Sequence, residues 1–86
     1  HAADLLPVPF TREALDVMWA RRDAFAPEGH RRRTSYFANY ARLAVLLDRR
    51  EHVDEALKLA ESSLSTAIEP ENASPLLEAA RREAGK

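Results

Sequence analysis

Histidines, a run of arginines and scattered carboxylates are the side chains in this sequence with the means to do chemistry. His1, His30 and His52 are spaced too widely to share one helix face, so they do not make a metal site. Acid pairs such as Glu51/Glu55 and Asp54/Glu55 fall on the exposed side of an expected helix with no evident pocket, where they serve solubility. There is no cysteine, which excludes thiolate nucleophiles, thiolate metal sites and disulfides. No glycine-rich phosphate loop and no nucleophile motif stands in the chain. The expectation is a chain that is not an enzyme and holds no cofactor or metal.

The basic run Gly29-His30-Arg31-Arg32-Arg33, with Tyr36 and Phe37 just after it, has the composition of a nucleic-acid contact. The same residues suit an acidic protein partner, or simply a solvated helix start. Tyr36 and Phe37 fall on the inner side of the helix, and the net charge is −1, so nucleic acid is the lesser reading. Three arginines at a helix start oppose its dipole, which predicts compensating acids nearby, such as Glu28 or Asp23. Arg32-Arg33-Thr34-Ser35 also has the form of a kinase site, and Asn72-Ala73-Ser74 that of a glycosylation sequon. Both patterns arise by chance, and Pro75 directly follows the second. Trp19 and Met18 have the chemistry of a ligand pocket, but on the inner stripe of a helix they read more simply as core.

The elements that must position these residues are helical. Ala, Leu, Arg and Glu dominate, there are only 2 Gly, and no run alternates as a strand does. The spacing predicts an all-α fold of four helices in an antiparallel array, with an extended arm over 1–10 and one helical domain over 11–86. Pro7 and Pro9 bar a helix in the arm, while Leu5, Leu6 and Val8 make it an apolar lid for the core. A first helix is expected over 12–26, capped by Thr11, stapled by Phe10 on Leu15, and ended by Pro27 and Gly29. A second, over 32–48, is apolar around most of its circumference and therefore central. A tight polar turn at 49–52 leads to a third helix over 53–66. A loop over 68–74 precedes a fourth, with Ser74 as its cap and Pro75 as its first residue.

The stretch 36–64 is the most regular part of the chain. Tyr36, Tyr40, Leu43, Ala44 and Leu47 recur at helical spacing, and so do Val53, Ala56, Leu57, Ala60 and Leu64. The small residues Ala44, Ala56 and Ala60 let two antiparallel helices approach closely. Tyr40, Leu43-Ala44 and Leu47, followed by Val53, Ala56 and Ala60, resemble a tetratricopeptide repeat, closest to the kinesin-light-chain type of bacterial regulators. The resemblance covers about a third of the chain. It implies a helical hairpin that binds proteins or peptides through the face of its first helix. Repeat folds gain stability by stacking units. A single unit therefore predicts self-association, or degenerate half-units on either side.

That outward stripe holds Ser35, Asn39, Arg42, Leu46 and Arg49, with Arg31, Arg32 and Arg33 extending it at its start. Asn39, Arg42, Leu46, Arg49 and Arg31 to Arg33 are thus the candidate partner-contacting residues. They suit an acidic or extended protein segment. The alternative is that Arg42 and Arg49 pair with acids of the last two helices.

The 86 residues make one small domain with a limited core. No apolar run is long enough to span a membrane and the start is not a signal peptide, so a cytoplasmic place is expected. The 13 basic residues are nearly all arginine, which points to a GC-rich, bacterial coding genome. The first residue is not Met, which predicts a piece of a longer protein.

Overall fold

The computed structural model describes residues 12–67 and 70–85. The expected arm, the Thr11 cap and the Phe10 staple lie outside the described residues. The chain is all-α, and its described residues form five helices: α1 (Arg12–Ala20), α2 (Arg22–Phe25), α3 (Arg33–Leu46), α4 (Val53–Ser62) and α5 (Pro70–Ala84). A short 3-10 turn, Leu64–Thr66, follows α4. No strand occurs among the described residues.

Helix α3 is the centre, as its circumference predicts. Thr34, Phe37, Ala38, Tyr40, Ala41 and Ala44 are all buried. It packs on α4, α5 and α1. The hairpin α3–α4 forms as expected, with Ala44, Ala56 and Ala60 fully buried. Alanine keeps the two axes close, and this closeness lets the Thr34 hydroxyl donate to the Ala60 carbonyl at 3.0 Å. That bond joins the start of α3 to the end of α4, fixing them antiparallel. Leu43 is only partly buried, so the tight seam runs through the alanines and Tyr40.

The turn between α3 and α4 ends the first helix through backbone bonds. Arg49 N–H donates to Ala44 O at 2.8 Å, and Asp48 N–H to Val45 O at 3.2 Å. Asp48 takes a φ of 58°. This pairing is the Schellman pattern, in which the left-handed residue is usually glycine. A short polar side chain tolerates that region better than a branched one.

Two expected boundaries move. The helix predicted over 12–26 breaks at Arg21 (φ −104°, ψ 17°) into α1 and α2. At the break, the carbonyls of Met18 and Trp19 turn to side chains. Tyr36 Oη donates to Met18 O at 2.6 Å, and the Arg22 guanidinium to Trp19 O at 2.7 Å. The bend also carries Ala26 into the core. The last helix starts at Pro70, earlier than the loop expected over 68–74, and carries Pro75 inside it. Its buried stripe is Ala73, Leu77 and Ala80, at helical spacing. Burial of Ala73 therefore requires the extra turn, and Pro75 lies on the exposed side.

Helices α1 and α5 flank the outer face of α3. Arg12 Nε reaches Leu47 O at 3.3 Å, while Met18 meets Tyr36, so α1 runs opposite to α3. The end of α5 lies by the far end of α3, where Arg50 donates to Ala84 O at 2.9 Å.

Candidate interaction groove

Between α1 and α5, the outer face of α3 floors an open groove of about 760 Å³. Tyr36, Asn39, Leu43, Val45 and Leu46 form the floor, Met18 one wall, and Arg42, Arg50 and Glu83 the other. The run Val45-Leu46-Leu47 is apolar at three successive positions, and a helix can bury only part of such a run. Leu46 is the one left out, 78% exposed.

The electrostatics of the groove are balanced. Arg42 clamps Glu83 with two bonds of 3.2 Å, both side chains being half-exposed. Arg50 is engaged with the Ala84 carbonyl. Burial pushes the Tyr36 phenol above its ordinary value, with the nearby Arg22 charge opposing this. Tyr36 is thus a neutral donor to Met18 O, fixing one wall to the floor. Among the described residues that line it, no nucleophile stands beside a base. Among the described residues, no three His, Asp or Glu side chains gather where a metal could sit.

The seven residues expected to meet a partner divide into four groups. Asn39, Arg42 and Leu46 come together in the groove. Arg49 turns away to Asp16 at 2.7 Å and Glu51 at 3.4 Å. The Glu51 carboxyl is held below its usual value by a hydrogen bond from its own backbone N–H and by the Arg49 charge. So both stripe arginines pair with acids, on α5, α1 and the turn. Arg31 and Arg32 are exposed beside a second, smaller cavity of about 280 Å³ with Ser35 and Asn72. Arg33 corrects the expectation of a surface contact. It is 9% exposed, its guanidinium donates to the Ala26 carbonyl, and it stacks over Phe37 at 5.0 Å. The partner found for its charge is a carbonyl and a ring face, where an acid such as Glu28 or Asp23 was expected.

Tyr36, Leu43, Val45, Arg50 and Glu83 are lining residues that sequence reasoning missed, whereas Met18 was weighed as a pocket residue and read as core. The apolar ones read by their periodicity as core or hairpin seam. Only the surplus of apolar positions around 45–47 signals an uncovered face. Trp19, expected as core, is partly buried and engaged on several sides. His52 stacks on it at 4.3 Å, Tyr40 lies at 5.2 Å, and the Arg22 guanidinium sits 4.3 Å from the ring. His52, expected as a plain surface residue, is therefore half-buried against Trp19.

No helix among the described residues is long and apolar enough to cross a membrane. Compared with protein-family models, curated proteins and solved structures, the chain gives no match.

Proposed function

We propose that this chain is a non-catalytic protein-interaction module that seats an extended polypeptide segment along the outer face of α3. The observation that carries this reading is Leu46, a large apolar side chain 78% exposed in a groove it shares with Met18, Leu43 and Val45. Helix faces that hold an apolar anchor site with a polar rim are where partner segments dock. Asn39, exposed on the same face, supplies an amide able to donate and accept along a partner's backbone. The Arg42–Glu83 pair leaves the rim balanced, so an apolar anchor in the partner matters more than acidic charge.

The likeness of α3–α4 to a tetratricopeptide unit belongs to this reading. Its support is the antiparallel hairpin with alanines at its seam. A bacterial setting belongs to it as well, on the strength of the arginine-rich composition. Nucleic acid is the weaker alternative, because one arginine of the basic run is buried.

The test is selection of a random peptide library on the immobilised chain. Enriched sequences should share a large apolar residue in an extended context. The same selection on Leu46→Asp should lose them. Enrichment that is indifferent to Leu46→Asp would overturn the groove as the binding surface.

A further inference from the structure

We infer that the smaller cavity, between the starts of α3 and α5, binds a small phosphate monoester through Arg31 and Arg32. It holds about 280 Å³ and is lined by residues other than those of the groove. Arg31 and Arg32 come to it from the turn before α3, Ser35 from the first turn of α3, and Asn72 from the start of α5. Among the described residues, neither guanidinium has an ion pair or a hydrogen bond. Glu71, beside Asn72 in sequence, is exposed and does not line the cavity. The first turn of α3 holds no acid and no side-chain cap. Helices α3 and α5 run in the same direction, since Ser35 shares the cavity with Asn72 while Arg42 pairs with Glu83 further along. The positive ends of both dipoles therefore add to the charge of the arginines. The guanidinium pair at a shaped cavity makes the site, and the helix starts strengthen it.

The turn that carries the pair is fixed before any ligand arrives. His30 N–H donates to Pro27 O at 2.8 Å and Arg33 N–H to His30 O at 3.1 Å. Arg32 N–H donates to the His30 ring at 3.1 Å. The buried Arg33, held by the Ala26 carbonyl, anchors the end of the turn. Guanidinium groups only donate, and their fork matches carboxylate and phosphate oxygens. One guanidinium satisfies both oxygens of a carboxylate. A phosphoryl group has three terminal oxygens and nearly two charges, so it engages a pair. The Ser35 hydroxyl and the Asn72 amide are donors of the same kind. Drug-sized ligands fill about 300–1,000 Å³, so this cavity takes a more compact molecule. Ala73 and Leu76 give it one apolar side, against which the organic part of a monoester lies.

The probes are phenyl phosphate, inorganic phosphate and benzoate. Each is titrated into the isotope-labelled full chain at constant ionic strength and about pH 7.5, where a phosphate monoester is mostly a dianion. Phenyl phosphate should shift the amides of Ser35 and Asn72 and the Nε–H signals of Arg31 and Arg32 along one saturating curve. The amides of Leu43 and Leu46 in the groove should stay still. Benzoate should bind about tenfold or more weakly, having fewer oxygens and less charge for the pair to hold. Inorganic phosphate, lacking the organic part, should bind more weakly than phenyl phosphate. Arg31→Gln combined with Arg32→Gln should weaken phenyl phosphate about tenfold or more. The urea midpoint should not move, because both side chains are exposed. Shifts that grow without saturating, or that every exposed arginine shares, would overturn the site. So would affinity unmoved by the two substitutions. Equal affinity for benzoate or for inorganic phosphate would overturn the monoester. Oligo-uridylate binding more tightly per phosphate than phenyl phosphate would overturn it in favour of nucleic acid. Leu46→Asp should leave all these shifts unchanged, so this site and the groove are tested separately.

Discussion

Arg33 shows how little neighbouring residues of one type have in common. Arg31 and Arg32 are exposed, whereas the Arg33 guanidinium is spent on the Ala26 carbonyl and the face of Phe37. Hydrogen bonds from charged donors are worth about 1.5–3 kcal/mol. Arg33→Ala should therefore lower stability by about 2–3 kcal/mol in urea unfolding. Arg31→Ala and Arg32→Ala should stay within about 0.5 kcal/mol, as exposed substitutions do. Equal effects at all three positions would remove Arg33 from the core. Nothing in the run of three arginines marks which is buried. The choice is made by the bend at Arg21, which brings Ala26 to meet it.

The tyrosines give a pH dependence with a definite sign. Burial raises the phenols of Tyr36 and Tyr40, and at Tyr40 the charges of Glu51 and Asp16 add to it. A phenol raised in the folded state favours folding below its unfolded value near 10, and that contribution is lost as pH rises through the folded value. Urea midpoints should thus hold steady to about pH 9 and fall above about pH 10. Tyr36→Phe should shrink the alkaline fall while costing about 0.5–1.5 kcal/mol at neutral pH for the bond to Met18 O. An alkaline fall that is unchanged in Tyr36→Phe would show that this phenol is not the one involved.

At the scale of elements, the hairpin α3–α4 was legible and its neighbours were less so. Periodicity and small residues are local signals, and Ala44, Ala56 and Ala60 carry them plainly. The break at Arg21 is different, because the carbonyls it frees are answered by Tyr36, which is distant in sequence, and by Arg22. The start of α5 was misplaced because Pro75 reads as a first helical residue, while burial of Ala73 draws the helix back to Pro70. The two assignments differ in the sign of one effect. A proline inside a helix costs about 3 kcal/mol or more, whereas at the first position it is neutral or helpful. With α5 beginning at Pro70, Pro75→Ala should stabilise the fold by about 1–3 kcal/mol, the low end allowing for the nearness of the helix start. A neutral or destabilising result would put the helix start back at Pro75.

At the scale of the whole molecule, one central helix is clothed on its inner sides and left open on its outer one. The partner stripe was half legible for the same reason. Asn39, Arg42 and Leu46 were found from helix phase alone, because phase decides what points outward. Glu83 could not be, because it reaches the groove from another helix. Self-association was expected of a lone repeat unit. Sedimentation of the isolated chain tests this, and a monomer of 9.7 kDa would contradict it. A dimer mass would assign the face to a second copy.

The groove itself is tested most directly by the affinity of a library-selected peptide for the unaltered chain and for Leu46→Asp, measured beside the urea midpoint of each. Leu46 is 78% exposed, so its replacement should leave the midpoint within about 0.5 kcal/mol of the original. A buried anchor contributes well over 1 kcal/mol to binding, so affinity should fall about tenfold or more. Unchanged affinity at unchanged stability would contradict the assignment of the α3 face as the partner surface.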